Sequence, residues 1–274
     1  MERFSRIKKI RSHCSNLNAQ GNQIGFVPTM GYLHEGHLSL IRRSKKECSK
    51  TVVSIYVNPT QFSPEEDFSA YPRDLKNDVD LLKDLDVDVL FVPPVKEMYP
   101  VDFQTAVRVN RITTAGEGAS RPHHFQGVTT VVTKLLNIIQ PSVLYLGQKD
   151  IQQAIVIRTV TRDLNIPVTV RVCPTIREKD GLALSSRNVY LSDKERRSAL
   201  SLVTSLRNAE KIIKNGETSC TKIVTAMKSI FRKYTGVQLD YVACFDYDTF
   251  EEVETVTGRT IIAIAANVGK TRLI

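Results

Sequence analysis

The sequence predicts an α/β protein, with a doubly wound, mostly parallel sheet followed by a smaller α+β domain. Through the first two thirds of the 274 residues, short β-branched apolar segments alternate with helix-length amphipathic segments. This alternation is typical of parallel strands buried between two helical layers. After about residue 175, two long helical patterns follow each other, and two strand-like segments come next without a crossover helix. We therefore expect domains over residues 1–175 and 176–274.

Nearly continuous apolar character predicts the strands of the first domain, and helical spacing of apolar residues predicts its helices. The predicted strands are IGFVPT (24–29), TVVSIYV (51–57), VDVLFV (87–92), TAVRVN (105–110), VLYLG (143–147) and VTVRV (168–172), and the predicted helices cover 33–48, 75–85, 128–139 and 151–164. In the second domain we expect helices over 193–214 and 219–234, with Ser192 as the first N-cap, and strands LDYVACFDY (239–247) and TIIAIAANV (260–268).

Composition excludes several classes of protein. Hydrophobic residues make up 42% and charged residues 24%, without low-complexity segments, so disorder and fibres are not indicated. A signal-peptide core and an apolar segment of membrane-spanning length are both missing, which predicts a soluble, cytoplasmic protein without a membrane partner. The five scattered cysteines indicate neither disulfides nor zinc. The net charge of +9 is compatible with a basic surface, an anionic substrate or nucleic acid.

Three motif-like segments fail on spacing. VGKT (268–271) lacks the upstream glycine of a phosphate-binding loop, because Ile264 stands there inside a predicted strand. GEGASR (116–121) lacks the third glycine of a dinucleotide-binding fingerprint. In HEGH (34–37) the histidines are three residues apart, whereas a helical zinc site of a metalloprotease needs four.

Polar and charged residues that could bind a ligand follow two predicted strands, and a third set lies in a loop. His34 and His37 enter a helix after the first long strand, and Lys149 and Asp150 do so after VLYLG. Ligands of parallel sheets bind outside the carboxyl ends of strands, where a helix N-terminus favours an anion. The loop LALSSRN (182–188) adds two hydroxyls and an arginine, a combination suited to phosphate. Taken singly, each group also fits a helix cap or a surface ion pair.

Six segments in the same order along the chain resemble the pantothenate synthetase family. They are PTMGYLHEGH (28–37), YVNPTQF (56–62), RPHHFQGVTTVVTKLLNIIQP (121–141), LGQKDIQQ (146–153), DGLALSSRN (180–188) and ANVGKTRLI (266–274). The resemblance implies a Rossmann-like nucleotidyltransferase fold related to class I aminoacyl-tRNA synthetases. It also implies ATP-dependent condensation of (R)-pantoate with β-alanine to pantothenate, AMP and diphosphate, with Mg²⁺, in a homodimer that takes no nucleic acid.

The family's residue roles carry over to matching positions. The implied catalytic residues are His34, His37, Lys149 and Arg187, with His37 at the position of the proton donor. The implied ATP-binding residues are Met30, Gly31, Tyr32, Leu33, His34, Glu35, Gly36, His37, Gly147, Gln148, Lys149, Asp150, Ile176, Leu184, Ser185, Ser186 and Arg187. Gln61 and Gln153 would hold pantoate, and Gln61 would also serve β-alanine. The metal ligands stay open, with Asp78 as a single candidate.

The sequence departs from the family at His123, where a glycine is usual. This larger side chain leaves open how closely the loop that contains it approaches the pantoate pocket. Two alternatives stay open. Another adenylate-forming enzyme of the superfamily would keep the two histidines and the SSR segment but would not need both Gln61 and Gln153. A basic RNA-binding module would use the +9 charge and show salt-sensitive RNA binding without ATP turnover.

Overall fold

A computed structural model describes all residues from 1 to 274. Its strands are β1 (Glu2–Phe4), β2 (Ile24–Thr29), β3 (Lys50–Ile55), β4 (Val89–Phe91), β5 (Val143–Gly147), β6 (Thr169–Cys173), β7 (Val237–Asp246), β8 (Thr260–Val268) and β9 (Thr271–Leu273). Its helices are α1 (Ile7–Ala19), α2 (Glu35–Glu47), α3 (Leu75–Asp84), α4 (Val95–Met98), α5 (Glu117–Ser120), α6 (His124–Ile139), α7 (Ile151–Asp163), α8 (Asp193–Lys214) and α9 (Cys220–Phe231).

The chain divides into two compact units. The first comprises residues 1–110 and 121–176, and the second comprises residues 111–120 and 177–274. The predicted domains, 1–175 and 176–274, place residues 111–120 in the first domain, whereas the structure groups this segment with the second unit. None of the helices has the length and apolar character needed to cross a membrane.

The first unit is a six-stranded parallel sheet in the order β1-β4-β3-β2-β5-β6. Alternating residues of each strand enter different cores, as the pleat requires. Phe26 and Leu144 pack with α1, α6 and α7, while their neighbours Val27 and Tyr145 pack with α2 and α3. Burial on both faces explains the nearly continuous apolar segments, and it confirms the predicted parallel sheet.

The order of strands reverses beside β2. From β2 the chain proceeds to β3 and β4 on one side, and later to β5 and β6 on the other. Such a point in a parallel sheet leaves a crevice outside the carboxyl ends of the two central strands, because their connections leave in opposite directions. The segments that follow β2 and β5 therefore share one edge of the sheet.

Residues 105–110, predicted as a strand, form none. The backbone of Val107 is bound by side chains of α6 instead: its N–H donates to the Thr130 hydroxyl at 3.0 Å, and its carbonyl accepts from the Thr129 hydroxyl at 2.5 Å. These two bonds satisfy polar groups that a strand partner would otherwise satisfy. The prediction was wrong because the apolar character of these residues does not reveal a side-chain partner for their backbone.

The second unit packs α8 and α9 against a three-stranded antiparallel sheet in the order β7-β8-β9. Ser192 caps α8 as predicted: its hydroxyl accepts from the N–H of Glu195, whose carboxylate accepts from the N–H of Ser192. This reciprocal arrangement is a capping box and fixes where the helix begins.

Residues 111–120 are fixed to the second unit by Arg272 of β9. Its guanidinium donates to both oxygens of the buried Glu117 carboxylate at 2.7 Å and also contacts Asp240. The Tyr241 hydroxyl donates to the same Glu117 carboxylate at 3.1 Å. The negative charge of Glu117 is thus fully compensated within this unit, which explains how an acidic side chain with 10% exposure is tolerated.

We expect Arg272→Ala to destabilise the second unit by about 3–5 kcal/mol, because removal of one partner leaves a buried carboxylate uncompensated. Urea unfolding followed by far-UV circular dichroism would measure the loss, since the chain has no tryptophan. Arg259→Ala is the matched control: Arg259 also binds a carboxylate with two nitrogens, that of Asp248, but on the surface. Equal effects of the two substitutions would contradict the role assigned to burial.

Candidate active site

The turn after β2 is shaped by a buried carboxylate. Gly31 and Tyr32 have positive φ angles of 82° and 51°, and Asp78 of α3 accepts the N–H groups of Tyr32 at 2.9 Å and Leu33 at 2.7 Å. Burial raises the pKa of Asp78, while the two backbone hydrogen bonds oppose that rise. Each carboxylate oxygen accepts one backbone N–H of the turn, so Asp78 holds the turn in its conformation.

His34 and His37 lie where α2 begins. The Nδ1 atom of His34 accepts the N–H of Gly36 at 3.2 Å, and the Nδ1 atom of His37 accepts the N–H of His34 at 3.4 Å. The rings are 4.1 Å apart between centroids. A neutral imidazole whose Nδ1 accepts carries its proton on Nε2. The histidines therefore cap the helix through Nδ1, and each retains an Nε2–H donor.

Both imidazoles are neutral at pH 7. Burial lowers the pKa of His34 to about 4, with a further decrease from Lys149 and an opposing effect of Asp150. Burial lowers the pKa of His37 to about 3, and His34 and Lys149 add to the effect while Asp150 again opposes it. These electrostatic interactions also show that the pair from the β2 edge and the pair from the β5 edge, predicted separately, lie together.

Lys149 and Asp150 occupy a short 3₁₀ turn between Gly147, the last residue of β5, and α7. The Lys149 ammonium donates to the Asp150 carboxylate at 3.2 Å, and its side chain is only 21% exposed. Burial alone would raise the pKa of the Asp150 carboxyl. The positive charge and hydrogen bond of Lys149 outweigh this effect, so the pKa lies below its ordinary value. Gln153 lies half-buried in the first turn of α7. The edge thus holds a charged pair beside two neutral imidazoles.

Gln61 belongs to a 3₁₀ turn, Pro59–Gln61, that follows β3. Asn58, which is 1% exposed, donates from Nδ2 to the Gln61 side-chain oxygen and to the Gly127 carbonyl, both at 3.1 Å. The Gln61 amide nitrogen lies 3.2 Å from the sulfur of Met30. Asn58 orients the Gln61 amide, and the sequence prediction missed it. Its position before Pro59 signals a turn but not this partner.

The start of α6 supports the same turn. His124 Nδ1 lies 3.0 Å from the Gln61 carbonyl, and Arg121 joins that carbonyl to the Glu66 carboxylate. A Cβ atom on Gly127 would lie 2.4 Å from the Thr60 carbonyl oxygen, so only glycine allows this approach. His123 is exposed and has a right-handed helical backbone with φ −98°. Its conformation suits any L residue, so the departure from the family's glycine leaves the loop unstrained.

The remaining predicted residues lie at and beyond the end of the first unit. Ile176 is the last residue of that unit, and residues 184–187 belong to the second. There, the Ser185 hydroxyl accepts the N–H of Arg187 at 3.3 Å and starts the 3₁₀ helix Ser186–Tyr190, in which Ser186 is buried. The structure brings together the predicted residues Met30, Tyr32, Leu33, His34, His37, Gln61, Lys149 and Asp150, all of the first unit.

The chemistry of this edge suits an anion. Two Nε2–H groups, one ammonium and the N-terminus of α2 offer hydrogen bonds and positive charge outside the carboxyl ends of β2 and β5. No group of three or more histidine, cysteine, aspartate or glutamate side chains in the structure is arranged to hold a metal ion.

We expect the imidazole resonances of His34 and His37 in the ligand-free protein to titrate well below the ordinary pKa of 6.5. Because the unfolded chain binds these protons more readily, the stability that they contribute is full above pH 6.5 and falls as the pH drops toward the folded pKa values. The slope is up to about 1.4 kcal/mol per pH unit for each histidine. NMR of selectively labelled histidine, assigned with His34→Gln and His37→Gln, would test this, and titration near pH 6.5 would contradict it.

Comparison with known proteins identifies relatives over the whole chain. The sequence profile described as pantoate-beta-alanine ligase matches residues 2–274. The pantothenate synthetase of Acetivibrio thermocellus is 51% identical over 274 residues, covering 100% of this chain and 96% of its own length. That of Pseudothermotoga lettingae is 50% identical over 268 residues, covering 98% of this chain and 95% of its own.

Solved structures show the same relationship. The pantothenate synthetase of Thermus thermophilus superposes with a TM-score of 0.95 at 42% identity, covering 100% of this chain and 97% of its own. The Francisella tularensis pantoate-beta-alanine ligase, solved with beta-gamma ATP and beta-alanine, gives a TM-score of 0.78 at 36% identity, covering 100% of this chain and 95% of its own. Since the match in sequence and fold extends over the whole chain, this protein belongs to the pantoate-beta-alanine ligase family.

Proposed function

We propose that the edge formed after β2, β3 and β5 carries out the family's reaction on (R)-pantoate, β-alanine and ATP. The protein is an ATP-dependent ligase that yields pantothenate, AMP and diphosphate. The observation that carries the assignment of residues is the convergence of His34 and His37 with Lys149 and Asp150 at the point where the strand order reverses. Such a crevice suits a nucleotide.

In the first step, a carboxylate oxygen of pantoate attacks the α-phosphorus of ATP. A bond forms between this oxygen and phosphorus, the bond from phosphorus to the bridging oxygen breaks, and diphosphate leaves. The step needs no protein nucleophile. It needs two mutually repelling anions held in line and charge stabilised on the departing diphosphate. His34, His37 and Lys149 supply donors for that charge, and Ser185, Ser186 and Arg187 are proposed to complete them.

The neutral state of the histidines fits this role. A neutral imidazole can donate Nε2–H to a phosphate oxygen while its Nδ1 continues to accept the backbone N–H that caps the helix, which a ring protonated on both nitrogens could not do. The phosphates then favour protonation of the rings, so the pKa of His37 rises from about 3 as negative charge arrives beside it. His37, at the position of the family's proton donor, is proposed to become protonated in this way and to pass that proton to the leaving diphosphate.

In the second step, the amine of β-alanine attacks the acyl carbon of the pantoyl adenylate, and AMP leaves. Gln61 and Gln153 are proposed to hold pantoate through both steps, with Gln61 also serving β-alanine. The fixed orientation of the Gln61 amide by Asn58 supports this proposal, because a preset hydrogen-bonding group costs less to order when the substrate binds.

The proposed ATP site runs from the β2 turn to the start of α7. Residues 30–37 would line the site, with His34 and His37 on the phosphates. Residues 147–150 would bind ATP, with Lys149 on its phosphates and Asp150 on the ribose, and Ile176 would contact the adenine. Asp150, whose lowered pKa keeps it ionised, suits ribose hydroxyls. The Francisella relative, solved with beta-gamma ATP and beta-alanine, supports both ligands.

Mg²⁺ is proposed to enter with the phosphates of ATP. Both oxygens of Asp78 are engaged by backbone N–H groups, and the structure offers no cluster of three acidic, histidine or cysteine ligands. This suits a cation that keeps several waters and is bound mainly through substrate phosphates. When bound, it would neutralise charge on the diphosphate. The proposal also includes a cytoplasmic homodimer acting on small molecules alone, and light scattering after size exclusion would test the dimer.

We expect His37→Ala or Lys149→Ala to lower kcat by roughly 10² to 10³, because each removes one donor aimed at developing charge. His13→Ala and Lys83→Ala are the controls: these side chains pair with Glu2 and Asp80, away from the site residues. The steady-state rate of AMP formation measures the effect. Turnover near the wild-type rate in both site variants would reject the assigned roles.

The decisive assay follows AMP release from ATP and Mg²⁺ with pantoate and β-alanine supplied together and then singly. We expect full turnover only with both acids, since pantoate alone leads no further than the adenylate. AMP formation that ignores either acid would instead favour another adenylate-forming enzyme. Salt-sensitive RNA binding without AMP release would favour the RNA-binding alternative.

A further inference from the structure

The side-chain carboxylate of Glu178, in the second unit, contacts both the loop that ends at Asn188 and helix α8. Its Oε1 accepts the Asn188 side-chain amide at 2.9 Å, and its Oε2 accepts the Arg196 guanidinium of α8 at 2.7 Å. Asn188 directly follows residues 184–187, which are proposed to close on the triphosphate of ATP. Glu178 therefore connects that loop to the first turns of a 22-residue helix.

Asn188 closes the loop on itself. Its amide nitrogen donates to the Ala183 carbonyl at 3.1 Å as well as to Glu178, and its backbone N–H donates to the Ser185 carbonyl at 3.0 Å. The segment from Ala183 to Asn188 is thus tied at both ends. Such a tie limits the positions that the serine and arginine side chains between them can take.

The orientation of the Asn188 amide is dictated by these acceptors. Because Glu178 and Ala183 both offer oxygen atoms, the nitrogen must face them, and Oδ1 is left buried without a hydrogen-bond partner in the protein. A buried acceptor without a partner is unfavourable and rare. In the alternative orientation, Oδ1 would face the Glu178 carboxylate and the Ala183 carbonyl, so that acceptor would face acceptor.

Asp180 provides an internal comparison. It binds the same Nη2 atom of Arg196, also at 2.7 Å, and its other oxygen accepts the N–H of Leu182. Asp180 and Glu178 thus share the arginine and the turn that joins them, but only the Glu178 carboxylate contacts Asn188. Any special effect of Glu178 on the loop must therefore pass through Asn188.

We propose that Glu178 is a positioning residue of the ligase, which acts through Asn188 to hold Ser185, Ser186 and Arg187 where the triphosphate of ATP needs them. The inference rests on the proposed function of this loop. In this role Glu178 acts on the loop through Asn188 and not on the substrate itself. Its contribution is to reduce the freedom of the loop before ATP binds, so that less binding energy is spent on ordering the loop.

This role concerns one half of the reaction. Formation of the pantoyl adenylate requires the triphosphate to be held and diphosphate to be expelled, whereas transfer of the pantoyl group to β-alanine involves neither. A loosened loop should therefore slow adenylate formation and leave the transfer step intact. General damage to the fold would slow both steps.

The test compares Glu178→Ala with Asp180→Ala. For Glu178→Ala we expect kcat/KM for ATP in diphosphate release to fall by about 10- to 100-fold, the scale of a misplaced reacting group. For Asp180→Ala we expect a change within about twofold, as for a partly exposed ion pair. When synthetic pantoyl adenylate and β-alanine are supplied directly, both variants should form pantothenate at the wild-type rate.

Asn188→Ala provides a second route if Glu178→Ala fails to fold, because it removes the tie and keeps the Glu178–Arg196 ion pair. It should reproduce the loss in diphosphate release. Asn188→Asp places two carboxylates next to each other, and their repulsion should lower the rate of diphosphate release. Adding Glu178→Gln restores a pair of one donor and one acceptor. The double variant should therefore be more active than Asn188→Asp alone.

Equal effects of Glu178→Ala and Asp180→Ala, or equal slowing of both half-reactions, would overturn the inference. So would wild-type activity of Asn188→Ala. Failure of the proposed function would look different, because the wild-type protein itself would then release no AMP in response to pantoate and β-alanine.

Discussion

The candidate active site depends on the carboxylate of Asp78 and the two N–H groups that it accepts. Without these bonds, the turn after β2 would have to hold Tyr32 at a positive φ of 51° unaided, a conformation that costs a non-glycine residue roughly 1–2 kcal/mol. The turn sets the position of Met30 beside Gln61 and the point at which α2 begins. The buried Asp78 carboxylate of α3 thus fixes where the chain enters α2, the helix that presents both histidines.

Other polar side chains at this edge of the sheet also serve two roles each. His34 and His37 use Nδ1 for the backbone and keep Nε2 for a ligand, so that helix capping and ligand binding are compatible uses of one side chain. Asn58 likewise uses its amide to satisfy Gly127 and to orient Gln61. The site is therefore built from groups whose positions are fixed before a ligand arrives. Such preorganisation is the main source of electrostatic stabilisation in enzymes.

Sequence patterns predicted the elements whose signal is local. Strands β2 to β5 are buried on both faces and read as apolar segments, and the spacing of Ser192 and Glu195 alone predicts their capping box. The sheet edge was predicted as an anion site for the same reason, since strand, turn and helix succeed each other along the chain. The resemblance to a family then supplied the residue roles, which no periodicity encodes.

The features that escaped prediction depend on distant partners. Residues 105–110 look like a strand, but threonines of α6 bind their backbone instead. From sequence, Asp78 was considered only as a metal ligand, because its contact with a turn 45 residues earlier leaves no local signal. Residues 111–120 belong to the second unit only through contacts such as that between Glu117 and Arg272, 155 residues away.

That last separation has a consequence for the order in which the chain folds during synthesis. At about 5–20 residues per second, a ribosome needs roughly 10–30 s to proceed from Glu117 to Arg272. The six strands of the first sheet are complete by Cys173, well before Arg272 is made. Throughout this interval the Glu117 carboxylate lacks the guanidinium that compensates it, and for about the last two thirds of it all six strands of the first sheet have already been made. The nascent chain therefore passes through a stage in which the six strands of the first sheet have been made while Glu117 still lacks its arginine partner.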